Sequence, residues 1–311
     1  MPIESLTSEP ATRTSGRRRA LMLINPKARQ GSVPLEPIAA RLEANGLDVV
    51  PELFTSTAEI AADIVRRREG MDLVIVCGGD GTINAAARGV IEAGLPMGIL
   101  PLGTANDLAR TLAIPNDLSA AADIITAGYT RRIDVGEVNG HPFFNVASIG
   151  ISADLARGLT HETKRRWGRL GYAVAALKVL MSARPFRATI ISKNGEARVK
   201  TLQIAVGNGR HYGGGNIVER SAAIDDKHLD LYSLELANVW KLALMLRSFR
   251  AGEHGAWQEV RTDRCTEFEI RTRKPRPINT DGELVTFTPA RFVVKPDAVD
   301  VFAPPQPLSS R

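Results

Sequence analysis

Four short apolar runs alternate with amphipathic stretches over the first third of the chain. LMLIN (Leu21 to Asn25), VVPELF (Val49 to Phe54), DLVIV (Asp72 to Val76) and MGILP (Met97 to Pro101) are five or six residues long, which predicts buried strands. Leu35 to Asn45, Ala58 to Glu69 and Asn84 to Ala93 carry helix-like patterns between them. Strand–helix alternation of this kind builds an open parallel sheet. From about Arg131 the pattern changes to alternating strand-like runs, as in RRIDVGEV, ATIISKNG, VKTLQIAVGN and CTEFEIRT, the signature of an antiparallel β domain. Two helix-like stretches, Ser152 to Ala183 and Asn238 to Phe249, interrupt that second part. The expected layout is a disordered leader over residues 1–19, an α/β domain over 20–130 and a β-rich domain over 131–311, with the last residues free to return to the first domain. No internal repeat is visible.

A length of 311 residues suits two domains, and 44% hydrophobic with 24% charged residues is ordinary for a globular protein. A net charge of +6 makes an anionic membrane, a nucleic acid or a polyanionic small molecule plausible partners without choosing among them. The two cysteines, Cys77 and Cys265, have no metal-site or disulfide spacing and fit a reducing, cytoplasmic setting. No apolar run approaches the roughly 18 residues of a membrane span, so membrane contact is expected to be peripheral.

Three unusual loops follow three of the predicted strands: NPKARQGS, CGGDGT and PLGTANDLAR. Ligands of open α/β sheets bind beyond the carboxyl ends of the strands, where these loops lie. In GGDGT, glycines permit close backbone approach and a helix beginning near Thr82 adds a positive N-terminal end, which together suit a phosphate. Asp80 would repel that phosphate unless a hard cation such as Mg2+ stood between them. A tight strand-to-helix turn favours the same residues, and both readings stand at this point. Neither a P-loop nor a G-x-G-x-x-G fingerprint is present. Asn106 or Asp107 in PLGTANDLAR suits a helix cap as well as a cleft, and NTDGEL reads both as an Asp-Gly hairpin and as a pair of acids.

As a set, INPKARQGS, GGDGTINAAARG, LPLGTANDLAR, GGG with IDDKHLDLY, and NTDGE resemble the diacylglycerol kinase catalytic family, which includes soluble bacterial lipid kinases and sphingosine and ceramide kinases. The likeness runs from about Leu21 to Pro304. It implies a nucleotide-binding domain like those of NAD kinase and phosphofructokinase, a β-sandwich lipid domain, and ATP as phosphate donor. By motif match it places nucleotide contacts at Asn25, Pro26, Lys27, Ala28, Arg29, Thr55, Gly79, Asp80, Gly81, Thr82, Ile83, Asn84, Ala85 and Thr104. It gives Asp80 the metal-linked role, sets Asp107 and Asp281 close to the same cleft, and makes Glu283 the proton acceptor. A carboxylate that accepts the proton of an attacking hydroxyl is what phosphoryl transfer requires.

The resemblance also implies a structural Mg2+ held by Asp226 with the backbone carbonyls of Ala223 and His228. Two departures stand out: Lys227 occupies a position where the family usually has Gly, and Glu219-Arg220 stands where Ala-Pro is usual. Lys164, Arg165, Arg166 and Arg169 with Trp167 and Tyr172 suit an anionic membrane surface, and equally a helix with its charges in water. No nucleic-acid motif accompanies the charge, so no nucleic-acid partner is expected. The five histidines show no ligand pairing. Gly213 to Gly215 are placed by the resemblance near the acceptor lipid, and an edge strand of either domain is available for a homodimer. The expected activity is ATP- and Mg2+-dependent phosphorylation of a lipid hydroxyl, with diacylglycerol the leading acceptor ahead of ceramide or a sphingoid base. A soluble-metabolite kinase and a non-catalytic membrane-binding protein are the alternatives.

Overall fold

The computed structural model describes residues 16–26, 34–54, 56–153, 183–209, 223–235 and 260–305, and the backbone of 211–212 and 216–217. They fall into two units, Met1–Ile133 with Asp297–Arg311, and Asp134–Pro296.

The first unit opens with β1 (Arg18–Ile24), α1 (Glu36–Ala44) and β2 (Leu47–Leu53). A short 3-10 turn (Thr57–Glu59) leads into α2 (Ile60–Arg67), then β3 (Leu73–Gly78), α3 (Asp80–Ala93), β4 (Met97–Pro101), α4 (Asp107–Thr111) and α5 (Leu118–Ala127). Its sheet runs β2-β1-β3-β4, all parallel, and is extended beyond β4 by the last residues of β18 (Ala290–Phe302) through Val301 opposite Met97. Every residue of β3 and of β4 is buried, as a strand covered by helices on both faces requires. Pro51, which donates no ladder hydrogen bond, is tolerated because β2 lies at the sheet's edge. The helix after β3 starts at Asp80, not near Thr82, so the loop is shorter and Asp80 belongs to the first helical turn.

The second unit begins within β5 (Thr130–Val138) and continues through β6 (His141–Phe143), β7 (Val146–Gly150), β8 (Phe186–Ser192), β9 (Gly195–Thr201) and β10 (Gln203–Gly207). The short strands β11 (His211–Tyr212) and β12 (Asn216–Ile217) precede β13 (Leu229–Leu234), β14 (Val260–Cys265), β15 (Glu267–Thr272), β16 (Pro277–Thr280) and β17 (Glu283–Phe287), and β18 closes the chain's elements. Here β18-β15-β8-β9 form one antiparallel layer and β14-β13-β10-β7-β16-β17 another. Phe268, Ile270 and Phe292 from the first layer share a buried cluster with Ile149, Ile204, Leu231 and Ile278 from the second, the core of a β-sandwich. The expected α/β unit with a parallel sheet and antiparallel β unit are therefore both present. The predicted helix at Ser152 to Ala183 lies outside the described residues from 154 to 182, as does that at Asn238 to Phe249.

Candidate active site

In the first unit, the loops after β3 and β4 meet backbone to backbone. A Cβ added at Gly79 would stand 2.9 Å from the Gly103 Cα, and one at Gly103 only 2.6 Å from the Gly79 Cα. The Leu102 N–H donates to the Gly78 carbonyl at 3.0 Å, which fastens the two loops together. Glycine at 79 and 103 is thus demanded by close approach rather than by a left-handed backbone, since Gly79 is extended at φ −94.

The contact puts Asp80 beside the next helix. The Leu108 N–H donates to Asp80 Oδ1 at 3.3 Å. Burial, and then the negative charge of nearby Asp107, raise the Asp80 carboxyl above its ordinary range, while the amides of Leu108, Asp107 and Asn106 pull the other way. Asp107 is itself buried. Two adjoining carboxylates, Asp107 buried and Asp80 half-buried, repel unless a proton or a cation lies between them. No group of three or more potential metal-ligating His, Cys, Asp or Glu side chains occurs among the described residues. A pair of carboxylates with room for phosphate oxygens and water is how Mg2+ is usually held with a nucleotide, so these residues fit the ion. Mg2+ supplies charge neutralisation for phosphoryl transfer.

Asn25 ties the first loop to the same place. Its N–H donates to the Cys77 carbonyl at 3.1 Å, and its Nδ2 donates to Thr82 Oγ1 at 2.8 Å. Pro26 and Thr104 are exposed, and Gly81, Asn84 and Ala85 are half-buried in the first turns of α3. Ile83 points into the core at 1% exposure, so a ligand meets its backbone alone. Lys27, Ala28, Arg29 and Thr55 lie outside the described residues.

Asn106 corrects one expectation. It precedes α4 in a left-handed conformation, and its side chain makes no capping bond. Instead Oδ1 accepts from the Gly103 N–H at 3.0 Å, and Nδ2 donates to the Gly103 carbonyl at 3.3 Å and to Asn116 Oδ1 at 2.9 Å. The side chain closes the GTAN turn on itself and leaves α4's first amides to Asp80. Asn116, ten residues away, escaped the sequence reading because nothing in its surroundings marks it.

The second unit holds the other acids. Asp281 and Gly282 link β16 to β17 with φ of 46 and 101, the positive pair that a two-residue hairpin of mirror-image type needs. The Asp281 carboxylate turns back onto the chain before β7. Oδ2 accepts from the Phe144 N–H at 2.9 Å and Oδ1 from the Val146 N–H at 3.0 Å, while the Asn145 N–H reaches both at 3.2 and 3.3 Å. Asp281 therefore fixes the hairpin and so the position of Glu283, the first residue of β17. Glu283 is solvent-exposed, yet the protein crowds it enough that partial burial raises its carboxyl above the usual range.

The expected metal site at Asp226 does not fit an ion. Ala223 and His228 present N–H groups to the carboxylate, to Oδ2 at 2.9 Å and Oδ1 at 3.0 Å. Arg264 Nη2 stands 2.7 Å from Oδ2, so a guanidinium occupies the cation's place. Lys227 adopts φ 62, and its N–H donates to the buried Asp134 at 2.6 Å. Arg264 was missed because its partner is reached across the β13–β14 ladder, in which it faces Asp230.

Comparison with known proteins adds the lineage. The diacylglycerol kinase catalytic domain matches residues 19–138, and the YegS C-terminal NAD kinase beta sandwich-like domain matches residues 145–303. The chain belongs to the family of the YegS C-terminal NAD kinase beta sandwich-like domain and carries a diacylglycerol kinase catalytic domain ahead of it. The catalytic domain makes it a kinase. A diacylglycerol kinase of Staphylococcus aureus (strain bovine RF122 / ET3-1) is 27% identical over 93% of this chain and 93% of its own. One from Bacillus subtilis (strain 168) is 28% identical over 89% and 93%. A crystal structure of a diacylglycerol kinase from Bacillus anthracis str. Sterne aligns at TM-score 0.79 and 25% identity over 94% of this chain and 99% of that one. A second structure from the same organism, at TM-score 0.82 and 24% identity over 96% and 98%, shares the fold.

Proposed function

We propose that this kinase is an ATP- and Mg2+-dependent lipid kinase that transfers the γ-phosphate to a lipid hydroxyl, with diacylglycerol as acceptor and phosphatidic acid as product. The observation that carries the reading is the Asp80–Asp107 pair, set by the Gly79–Gly103 contact at the ends of β3 and β4. An Asp80 carboxyl raised by burial and by the charge of Asp107 beside it favours a divalent cation and, through it, a triphosphate. The relatives' activity toward diacylglycerol supports the choice of acceptor. Glu283 takes the hydroxyl proton, and its raised carboxyl makes it a stronger base than an ordinary glutamate. Asp281 holds the hairpin that carries it.

The test is incubation with labelled ATP, Mg2+ and separately dispersed diacylglycerol, monoacylglycerol, ceramide and sphingosine, with NAD+ in a lipid-free arm. Phosphatidic acid as the main labelled product is expected. Label in a different lipid replaces the acceptor, and label in NAD+ alone overturns the lipid reading.

A further inference from the structure

The outer surface of β8, β9 and β15 in the second unit carries an open cavity of about 540 Å³ whose rim includes Arg187, Arg198, Lys200, Arg271 and Arg273. With Glu196 and Glu269 alongside, five cations against two carboxylates leave the face three charges positive, half of the chain's net +6. Arg198 reaches Glu196 at 3.2 Å and Arg271 reaches Glu269 at 2.6 Å. Among the described residues no carboxylate is bonded to Arg187, Lys200 or Arg273. Strand register sets Arg187 directly opposite Lys200, and Thr189 between Arg198 and Arg271. Like charges facing each other across a ladder oppose folding, so the arrangement asks for an external anion.

We propose that this face docks the protein on an anionic lipid bilayer. The inference rests on the lipid-kinase reading, because a bilayer is where such an acceptor resides and where its phosphorylated product would deepen the negative charge. The surface has the required form: cations spread over three adjacent strands, with guanidinium groups that take phosphate oxygens two at a time. No aromatic residue lines the cavity, so the stacking that single-stranded nucleic acids need is missing there. The basic-aromatic segment at residues 164–172 lies outside the described residues and is not the face meant here.

The full chain is sedimented with phosphatidylcholine vesicles and with vesicles of phosphatidylcholine and phosphatidylglycerol. Binding to the mixed vesicles alone is expected, falling as salt shortens the Debye length. The triple variant Arg187→Gln/Lys200→Gln/Arg273→Gln weakens it by roughly 100-fold, at about fivefold per cation removed. Arg41→Gln/Arg66→Gln/Arg68→Gln, which removes the same charge from the first unit, weakens it far less. Arg187→Lys/Arg273→Lys retains binding, and melting curves show that each variant is folded. Equal losses in the two triple variants, equal binding to both vesicle types, or retention of a single-stranded oligonucleotide but not of vesicles overturns the proposal. Kinase assays in neutral detergent micelles separate the two ideas. The Gln triple variant keeps that activity if docking alone is lost, whereas a parent that binds vesicles through this face and phosphorylates no lipid keeps the docking face and loses the proposed function.

Discussion

Two acidic clusters, one in each unit, solve opposite problems. At Asp80 the carboxylate meets backbone N–H groups and a second carboxylate, Asp107, and its proton affinity rises. At Asp226 the carboxylate meets two N–H groups and the Arg264 guanidinium, a complete set of partners within the protein. The first cluster keeps an electrostatic cost that the proposed magnesium nucleotide would relieve, whereas the second settles its charge internally. On the proposed reading, a carboxylate meant for an exchangeable ion, as Asp80, keeps a cost that its own chain does not relieve, and Asp226 does not.

The sharpest way to break this contrast is Asp80→Asn. Loss of the metal-linked carboxylate should lower phosphoryl transfer by about 10³-fold or more. The same change should raise the melting temperature of the nucleotide-free protein. The sign follows from the raised carboxyl: the fold favours the protonated form, so the stability cost is absent below the unfolded-state pKa and is complete once pH has risen past the folded one. An inactive variant that melts no higher than the parent would remove the under-compensation argument.

Glu283→Gln is expected to reduce turnover by about 10²- to 10⁴-fold while leaving ATP binding intact, as loss of a general base does. Turnover near the parent level would show that the proton goes elsewhere. Since Asp80 and Glu283 both act ionised and both are raised, the acid limb of kcat/KM should fall above the ordinary carboxylate range of about 4, with activity rising with pH through it.

Arg264→Ala probes the other side. The pair is partly exposed, so its loss should cost about 1 kcal/mol and lower the melting temperature by about 2–4 °C. The decisive readout is magnesium: the variant should be stabilised by Mg2+ more than the parent is. An equal response of parent and variant would mean that the guanidinium does not stand in for an ion.

The sequence disclosed the parts that local pattern controls. Apolar runs marked the parallel strands, alternation marked the β-rich unit, and Gly-Gly-Asp-Gly marked the loop at Asp80. Long-range pairings escaped it. Asp281 reads as a turn residue or a site acid, and only the fold brings it back onto the amides of residues 144–146, more than 130 positions earlier. Arg264 and Asp226 likewise meet across strands whose register no motif encodes. The contact of Gly103 with Gly79 likewise becomes visible only when the two parallel strands are seen side by side.

The pairing of Val301 with Met97 bears on how the molecule is made. The first unit recruits residues 297–311 only after the whole of Asp134–Pro296 has been synthesised. A chain emerging from the ribosome holds the outer edge of β4 bare until residues 297–302 have followed, so the intervening unit can fold before the first is complete. Deleting the chain from residue 297 onward would thus strike the parallel sheet of the first unit, far away in sequence from the cut.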